Sequence, residues 1–343
     1  PARALTTLAG SEPETVERIA SLAALSAPLD LTLKLEGRAA DRATALTARL
    51  AGFAGGAEVA AEGGFDGRVD DPTHAAIRLS ARLAGAKAAA GLVRLFGGGA
   101  AAGPVALDAS AEGRPADGLK IAVATRVGAT SAGFDGTATV TREAPTRLDG
   151  RVRLATPDAA ALGALLGRPI LAFERRLPVD LTALVAGAWP KLAIGEIAGR
   201  VDEVALRGAV KLDLGPRPVV VDGRLDVDRL DVEALGEAIL GGALRSDGTD
   251  PSAHWATTPL LGAPFDVAGT LALAADRAVV GETVFDRLRA KVVARAGELR
   301  FEGLEAGFAG GRFGGEISTR RRADGVASLP GRLSLDGAGL GGV

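Results

Sequence analysis

The feature that most constrains this chain is a hydrophobic period of two that recurs along most of its length. Leu31, Leu33 and Leu35 alternate with Thr32, Lys34 and Glu36. Ile77, Leu79, Ala81 and Leu83 alternate with Arg78, Ser80 and Arg82, and Val210, Leu212 and Leu214 with Lys211 and Asp213. Val221, Gly223, Leu225 and Val227 alternate with Asp222, Arg224, Asp226 and Asp228. Successive residues of an extended strand point to opposite sides, so this spacing predicts strands with one apolar face and one wet face. Helical spacing is confined to short stretches. Residues 1–28 carry Ser11 three positions before Glu14, a capping box, with Val16, Ile19, Ala20 and Ala23 following. Ala86–Phe96, Asp158–Leu166 and Leu230–Leu240, the last with Asp231 as cap, are predicted as short helices after strands.

Two motifs repeat. Ala51-Gly52-Phe53-Ala54-Gly55-Gly56 returns letter for letter at Ala306–Gly311, and Ala132-Gly133-Phe134-Asp135-Gly136 is a looser copy. A hydrophobic residue followed by Asp-Gly-Arg occurs at Phe65–Arg68, Leu148–Arg151 and Val221–Arg224. Reuse of one supersecondary unit gives an extended array more often than a compact enzyme, and the uneven spacing makes this a degenerate repeat. Asp-Gly pairs beginning at 66, 117, 135, 149, 222, 247, 324 and 336 supply the positive φ that tight hairpins need, so the strands are expected to pair mostly antiparallel. The copies that precede Arg are compatible with strand interiors. The expected organisation is a helical segment over 1–28, repeated β units over 29–244, a linker over 245–264 rich in Asp, Gly, Ser, Thr and Pro, and a final β unit over 265–343. The chain contains no Met and its last unit stops where earlier ones begin a helix, so both ends read as cuts in a longer protein.

Chemistry is sparse. A net charge of −2, with 40 basic and 42 acidic residues intermixed, gives no electrostatic case for nucleic acid. Without Cys there is no disulfide, thiolate nucleophile or Cys-ligated zinc. No segment reaches the roughly 18 apolar residues of a membrane-spanning helix. The two histidines, His74 and His254, are far apart and are read as loop residues. Asp222, Asp226, Asp228 and Asp231 lack the spacing of a calcium loop and are read as a solvated strand face paired with Arg224 and Arg229. The glycines at 97–103 and 307–315 match neither phosphate-loop pattern, and no Gly-x-Ser-x-Gly elbow is present. No catalytic residue, metal or cofactor is expected.

The order of motifs in the last third of the chain resembles the C-terminal region of the AsmA family. The stretch runs from His254-Trp255 through Pro264-Phe265-Asp266-Val267 and Gly269-Thr270-Leu271. It continues with Val284-Phe285-Asp286-Arg287-Leu288, Gly297-Glu298-Leu299 and Leu304-Glu305-Ala306, and closes on Phe308-Ala309-Gly310-Gly311-Arg312-Phe313-Gly314-Gly315. The chain departs from the family in having no N-terminal membrane helix. The resemblance implies a mainly β fold: an elongated, repeated antiparallel sheet curled into a groove, with short helices between repeats. It also implies a periplasmic location, a tether to the inner membrane by a segment outside this chain, and a role in moving phospholipid during outer-membrane biogenesis, similar to bridge-like lipid transfer proteins. Under that reading the lipid-groove residues are the apolar strand positions Leu31, Leu33, Leu35, Ile77, Leu79 and Leu83, then Ile121, Val123, Leu212, Leu214, Val221 and Leu225, and finally Val267, Leu271, Leu273, Leu299 and Phe301. Alternation alone leaves open whether these residues line a groove or form a closed core. The competing expectation is a structural module that contacts outer-membrane proteins or other envelope partners, for example by accepting a strand on an exposed sheet edge.

Overall fold

The computed structural model describes residues 29–40, 43–54, 56–85, 103–165, 176–233, 267–295, 298–321, 327–328 and 330–339. The protein is mainly β, and the chain divides into two compact units, with the boundary in sequence falling within residues 157–168.

The first unit is an antiparallel meander of eight strands: β1 (Leu29–Ala40), β2 (Ala43–Ala54), β3 (Ala57–Gly67), β4 (Ala76–Gly85), β5 (Val105–Arg114), β6 (Gly118–Val127), β7 (Thr130–Thr139) and β8 (Arg147–Thr156). Each pairs with the next in sequence, and no ladder slips its register. Helix α1 (Ala159–Leu165) follows, with Asp158 Oδ1 accepting from the Ala160 N–H at 3.0 Å as an N-terminal cap.

The second unit holds β9 (Val179–Ala188), β10 (Lys191–Val201), β11 (Val204–Asp213), β12 (Val219–Asp231), β13 (Val267–Val280), β14 (Thr283–Arg295), β15 (Glu298–Phe308), β16 (Gly311–Arg321), β17 (Ala327–Ser328) and β18 (Gly331–Asp336). Its neighbours are antiparallel except β12 and β13, which run parallel. This pairing joins the strands on either side of the expected linker 245–264 into one sheet; the linker itself lies outside the described residues. Bulges interrupt β10 near Gly195-Glu196 and β15 near Glu302-Gly303. The extra residue in β10 keeps Ile197 on the same side as Ile194 despite their odd spacing.

Several expectations need correction. Among the described residues the only helix of more than two residues is α1, where a helix was expected over Asp158–Leu166. The helix expected from Leu230 does not start there. Strand β12 continues through Leu230 and Asp231, because Leu230 packs against the buried cluster of Ala275, Ala278, Leu288 and Ala306. Residues 234–240, the helix expected at 86–96 and the helical segment 1–28 lie outside the described residues. The Asp-Gly pairs that precede Arg, at 66, 149 and 222, lie within β3, β8 and β12 as their context allowed; Asp135-Gly136 also lies inside a strand, β7, and among the described residues Asp117-Gly118 closes a hairpin, between β5 and β6. Tight two-residue turns form instead at Gly128-Ala129, Asp202-Glu203, Gly281-Glu282 and Ala309-Gly310, where the first residue has φ of 59°, 56°, 57° and 46°.

The motifs have a packing explanation. In β7 and β8, Gly136 faces Gly150, and the Phe134 ring lies over both. A Cβ built on Gly136 or Gly150 would come within 2.9 or 2.8 Å of ring carbons. The third copy of the glycine–phenylalanine motif is therefore a strand interior, and its glycine makes room for its own aromatic ring. The two identical hexapeptides both lead into hairpins, but one residue out of phase. Ala54 pairs with Ala57 in the first, whereas Phe308 pairs with Gly311 in the second. A one-residue slip turns every side chain to the opposite face. Phe53 accordingly stands on the wet face, 56% exposed, while Phe308 stacks on Phe285 at 5.1 Å between ring centroids.

Candidate functional site

Because no ladder of the first unit slips, its apolar residues fall into rows that cross all eight strands. One row runs Leu33, Leu50, Ala61, Ala81, Ala109, Val123, Phe134, Val152. The next runs Leu35, Ala48, Gly63, Leu79, Ala111, Ile121, Gly136, Gly150, and a third runs Gly37, Leu46, Phe65, Ile77, Gly113, Leu119, Ala138, Leu148. On the other side of Leu33, the row through Leu31 takes in Gly52, Val59, Leu83, Leu107, Thr125, Ala132 and Leu154. Across eight strands spaced about 4.8 Å apart, this face extends roughly 34 Å. Thr125 carries the only polar side chain in these four rows.

Among the described residues no second layer seals the middle of this face. Leu33 is 52% exposed, Leu35 60% and Leu79 49%, and the buried apolar residues of this unit (Ala57, Ala75, Val105 and Ala138) all lie toward strand ends. A cavity of about 470 Å³ opens on this face, bordered by Leu33, Leu50, Leu79, Ala81, Ile121 and Val123.

The opposite face is charged and cross-linked between strands. Arg49 meets Glu62 at 3.0 Å, Arg82 meets Asp108 at 3.0 Å and Arg78 meets Glu112 at 2.7 Å. The hydrogen bond from Arg78 holds the Glu112 carboxyl below the usual carboxylate range and raises Arg78 in turn. These pairs are solvent-exposed, so their service is register and solubility more than stability.

The second unit repeats the pattern with a different outcome. Leu212, Val221, Gly269, Ala294 and Leu299 form one row, and Ile194, Val210, Gly223, Leu271, Val292, Phe301 and Ile317 another. Leu225 and Leu273 adjoin them, and Val267 pairs with Val219 at the strand starts. Here much of the face is covered: Ala275, Leu288, Ala290, Leu299 and Ala306 are buried. Phe285 contacts Phe308 and Phe313, each at 5.1 Å, over the Ala275–Leu288 end.

The residues expected from alternation therefore separate. Leu31, Leu33, Leu35, Ile77, Leu79, Leu83, Ile121 and Val123 share the open face of the first unit. Leu212, Val221, Leu225, Val267, Leu271, Leu273, Leu299 and Phe301 share one face of the second, where Leu299 is only 4% exposed. Leu214 lies one residue past β11, and its N–H donates to the Pro190 carbonyl at 3.0 Å. Alternation at Leu148-x-Gly150-x-Val152-x-Leu154 would also have placed Val152 and Leu154 on the open face. Leu46, Leu50 and Phe134 were hidden because small residues fill the rest of the apolar face of their strands, Ala48 and Gly52 in β2 and Ala132, Gly136 and Ala138 in β7, while Ala51 and Phe53 stand on the wet face of β2.

The alternatives for metal or catalysis stay bland. His74 Nδ1 lies 2.9 Å from Asp71 in an exposed turn that also holds Thr73. Asp226 pairs with Arg224 at 2.7 Å, while Asp222 and Asp228 accept from the backbone N–H groups of Thr270 and Ala205, each at 2.9 Å. Among the described residues no three His, Asp or Glu side chains converge on a possible metal position, and no helix is long and apolar enough to cross a membrane. No family model, curated protein or solved structure matches the chain.

Proposed function

We propose that this chain is a non-enzymatic lipid-binding and lipid-transfer segment, and that the open apolar face of its first unit takes up acyl chains. The observation that carries this reading is the set of rows through Leu31, Leu33, Leu35 and Leu46, with Leu33, Leu35 and Leu79 half exposed or more. A continuous apolar surface of this extent is unfavourable in water and marks a surface meant to be occupied. Acyl chains suit it because the rows offer hydrocarbon and almost no hydrogen-bonding side chains, so the ligand needs length and not a particular polar group. At about 0.8 kcal/mol per buried methylene, even a partly shielded chain gains several kcal/mol. Curling of the sheet around that chain would make the face a groove. The likeness to the AsmA family extends the reading to phospholipid transfer in the periplasm, toward outer-membrane biogenesis, with a tether supplied from outside this chain.

The test is lipid extraction from protein purified without detergent, for the wild type and for a Leu33→Asp, Leu79→Asp, Val123→Asp variant. Phospholipid on the wild type and its loss from a folded variant supports the reading. Retention of lipid by the folded triple variant refutes the face assignment.

A further inference from the structure

A cavity of about 780 Å³ lies on the wet face of the first unit. Its floor between β5 and β8 is Ala122, Ala124 and Gly133, residues too small to fill the space between the taller side chains on either side. One wall is the Arg82–Asp108 pair, which is internally neutralised. The other wall is Arg151 and Arg153, two positions apart on β8 and so on the same face. Gly133 lies directly opposite Arg153, so no side chain stands between that guanidinium and the floor. Arg126 on β6 stands one row further along, opposite Ser131. Among the described residues none of these three arginines has a carboxylate within 4.0 Å, unlike Arg49, Arg78 and Arg82 on the neighbouring strands. Two carboxylates stand beside them: Asp135, opposite Arg151, and Asp149, two positions before Arg151 on the same face of β8. Four arginines (Arg49, Arg82, Arg151 and Arg153) and three carboxylates (Glu62, Asp108 and Asp135) line the hollow; Glu62 and Asp108 are taken up by Arg49 and Arg82, which leaves Arg151 and Arg153 facing Asp135 alone among the lining carboxylates.

We propose that Arg151 and Arg153, with Arg126 one row beyond the hollow, form a site for a phosphate-type anion on the polar face. Guanidinium groups present paired N–H donors that match two oxygens of a tetrahedral anion, and two arginines at i and i+2 flanking a side-chain-free floor can grip one anion from adjacent directions. The phosphate can be a phospholipid headgroup or a free phosphate; both offer the same oxygens. This site does not rest on the acyl-chain reading of the opposite face.

The experiment uses the whole chain with phosphatidylcholine vesicles, with and without phosphatidylglycerol, and separately with inorganic phosphate monitored at the arginine Nε–H resonances. An Arg151→Ser, Arg153→Ser variant, conservative for an exposed strand, is compared with wild type, and circular dichroism verifies its fold. Tighter partitioning onto anionic vesicles, reduced roughly 30-fold in the variant with binding to neutral vesicles unchanged, assigns the site to a lipid headgroup. Resonance shifts with inorganic phosphate that vanish in the variant, without any vesicle preference, assign it to a soluble phosphate. An Arg151→Lys, Arg153→Lys variant should retain only part of either effect, since it keeps charge and loses the paired donors. If the wild type shows neither a preference for anionic vesicles nor phosphate-dependent shifts, or if the folded serine variant behaves as wild type, the proposal is overturned.

Discussion

Replacing Leu79 by Ala tests whether the apolar face of the first unit is open. The substitution removes three carbons, worth about 2.4 kcal/mol at about 0.8 kcal/mol each if they were fully buried. In a sealed core the cavity left behind would raise this to about 3–5 kcal/mol. Leu79 is 49% exposed in a strand whose neighbours across the sheet are Gly63 and Ala111. Half the transfer term is already forgone, and an open surface leaves no cavity, so the expected loss is about 1 kcal/mol. Leu79→Asp should also fold, since its carboxylate can stay in water. Val105, which is buried within the same unit, supplies the internal control. Val105→Ala removes fewer carbons yet should cost at least as much, about 1.6 kcal/mol plus a cavity contribution. Urea unfolding followed by far-ultraviolet circular dichroism gives all three values on one scale. A loss above 3 kcal/mol for Leu79→Ala, or failure of Leu79→Asp to fold, would show that the face is a closed core and refute the reasoning.

The identical hexapeptides should respond differently to the same change. Phe308→Ala removes a ring stacked on Phe285 and should cost about 3 kcal/mol, whereas Phe53→Ala on the wet face should cost under about 1 kcal/mol in the same unfolding assay. Gly150→Ala places a methyl group against the Phe134 ring and the Gly136 backbone and should destabilise the first unit by about 1–3 kcal/mol, read as a lowered thermal midpoint. Glu112 should titrate below an ordinary glutamate in an NMR pH series and return toward the ordinary value in Arg78→Ala. Its folded value lies below its unfolded one, so the contribution of this pair is present above the unfolded value and disappears as pH falls through the folded one.

Strand content and the sidedness of the strands were legible because the side-chain period of two is visible in residues such as Ile77 to Leu83 and Val221 to Val227. Hairpin positions were less so. Asp-Gly carries a strong turn preference, yet at 149–150 and 222–223 the apolar face needed a residue without a side chain, and packing across strands overrode local preference. The parallel pairing of β12 with β13 could not be read at all, since nothing local in either strand encodes the direction of its neighbour. Alternation identified the apolar side at Leu79 and at Leu299 equally well. It could not distinguish them, because the difference, an open face at one and a covered face at the other, depends on which residues from other strands and segments fold over each position. Nothing local in the sequence marks the arginines at 151 and 153; only the ladders, which set Gly133 opposite Arg153 and Asp135 opposite Arg151, show what lies across the sheet from them.

The most direct test of the lipid-binding reading is native mass spectrometry of the chain purified from cells without detergent, followed by extraction and identification of any bound lipid. Near-stoichiometric phospholipid, lost in the folded Leu33→Asp, Leu79→Asp, Val123→Asp variant, is the expected result. A soluble, lipid-free protein that still takes up no lipid when offered phospholipid vesicles would contradict it.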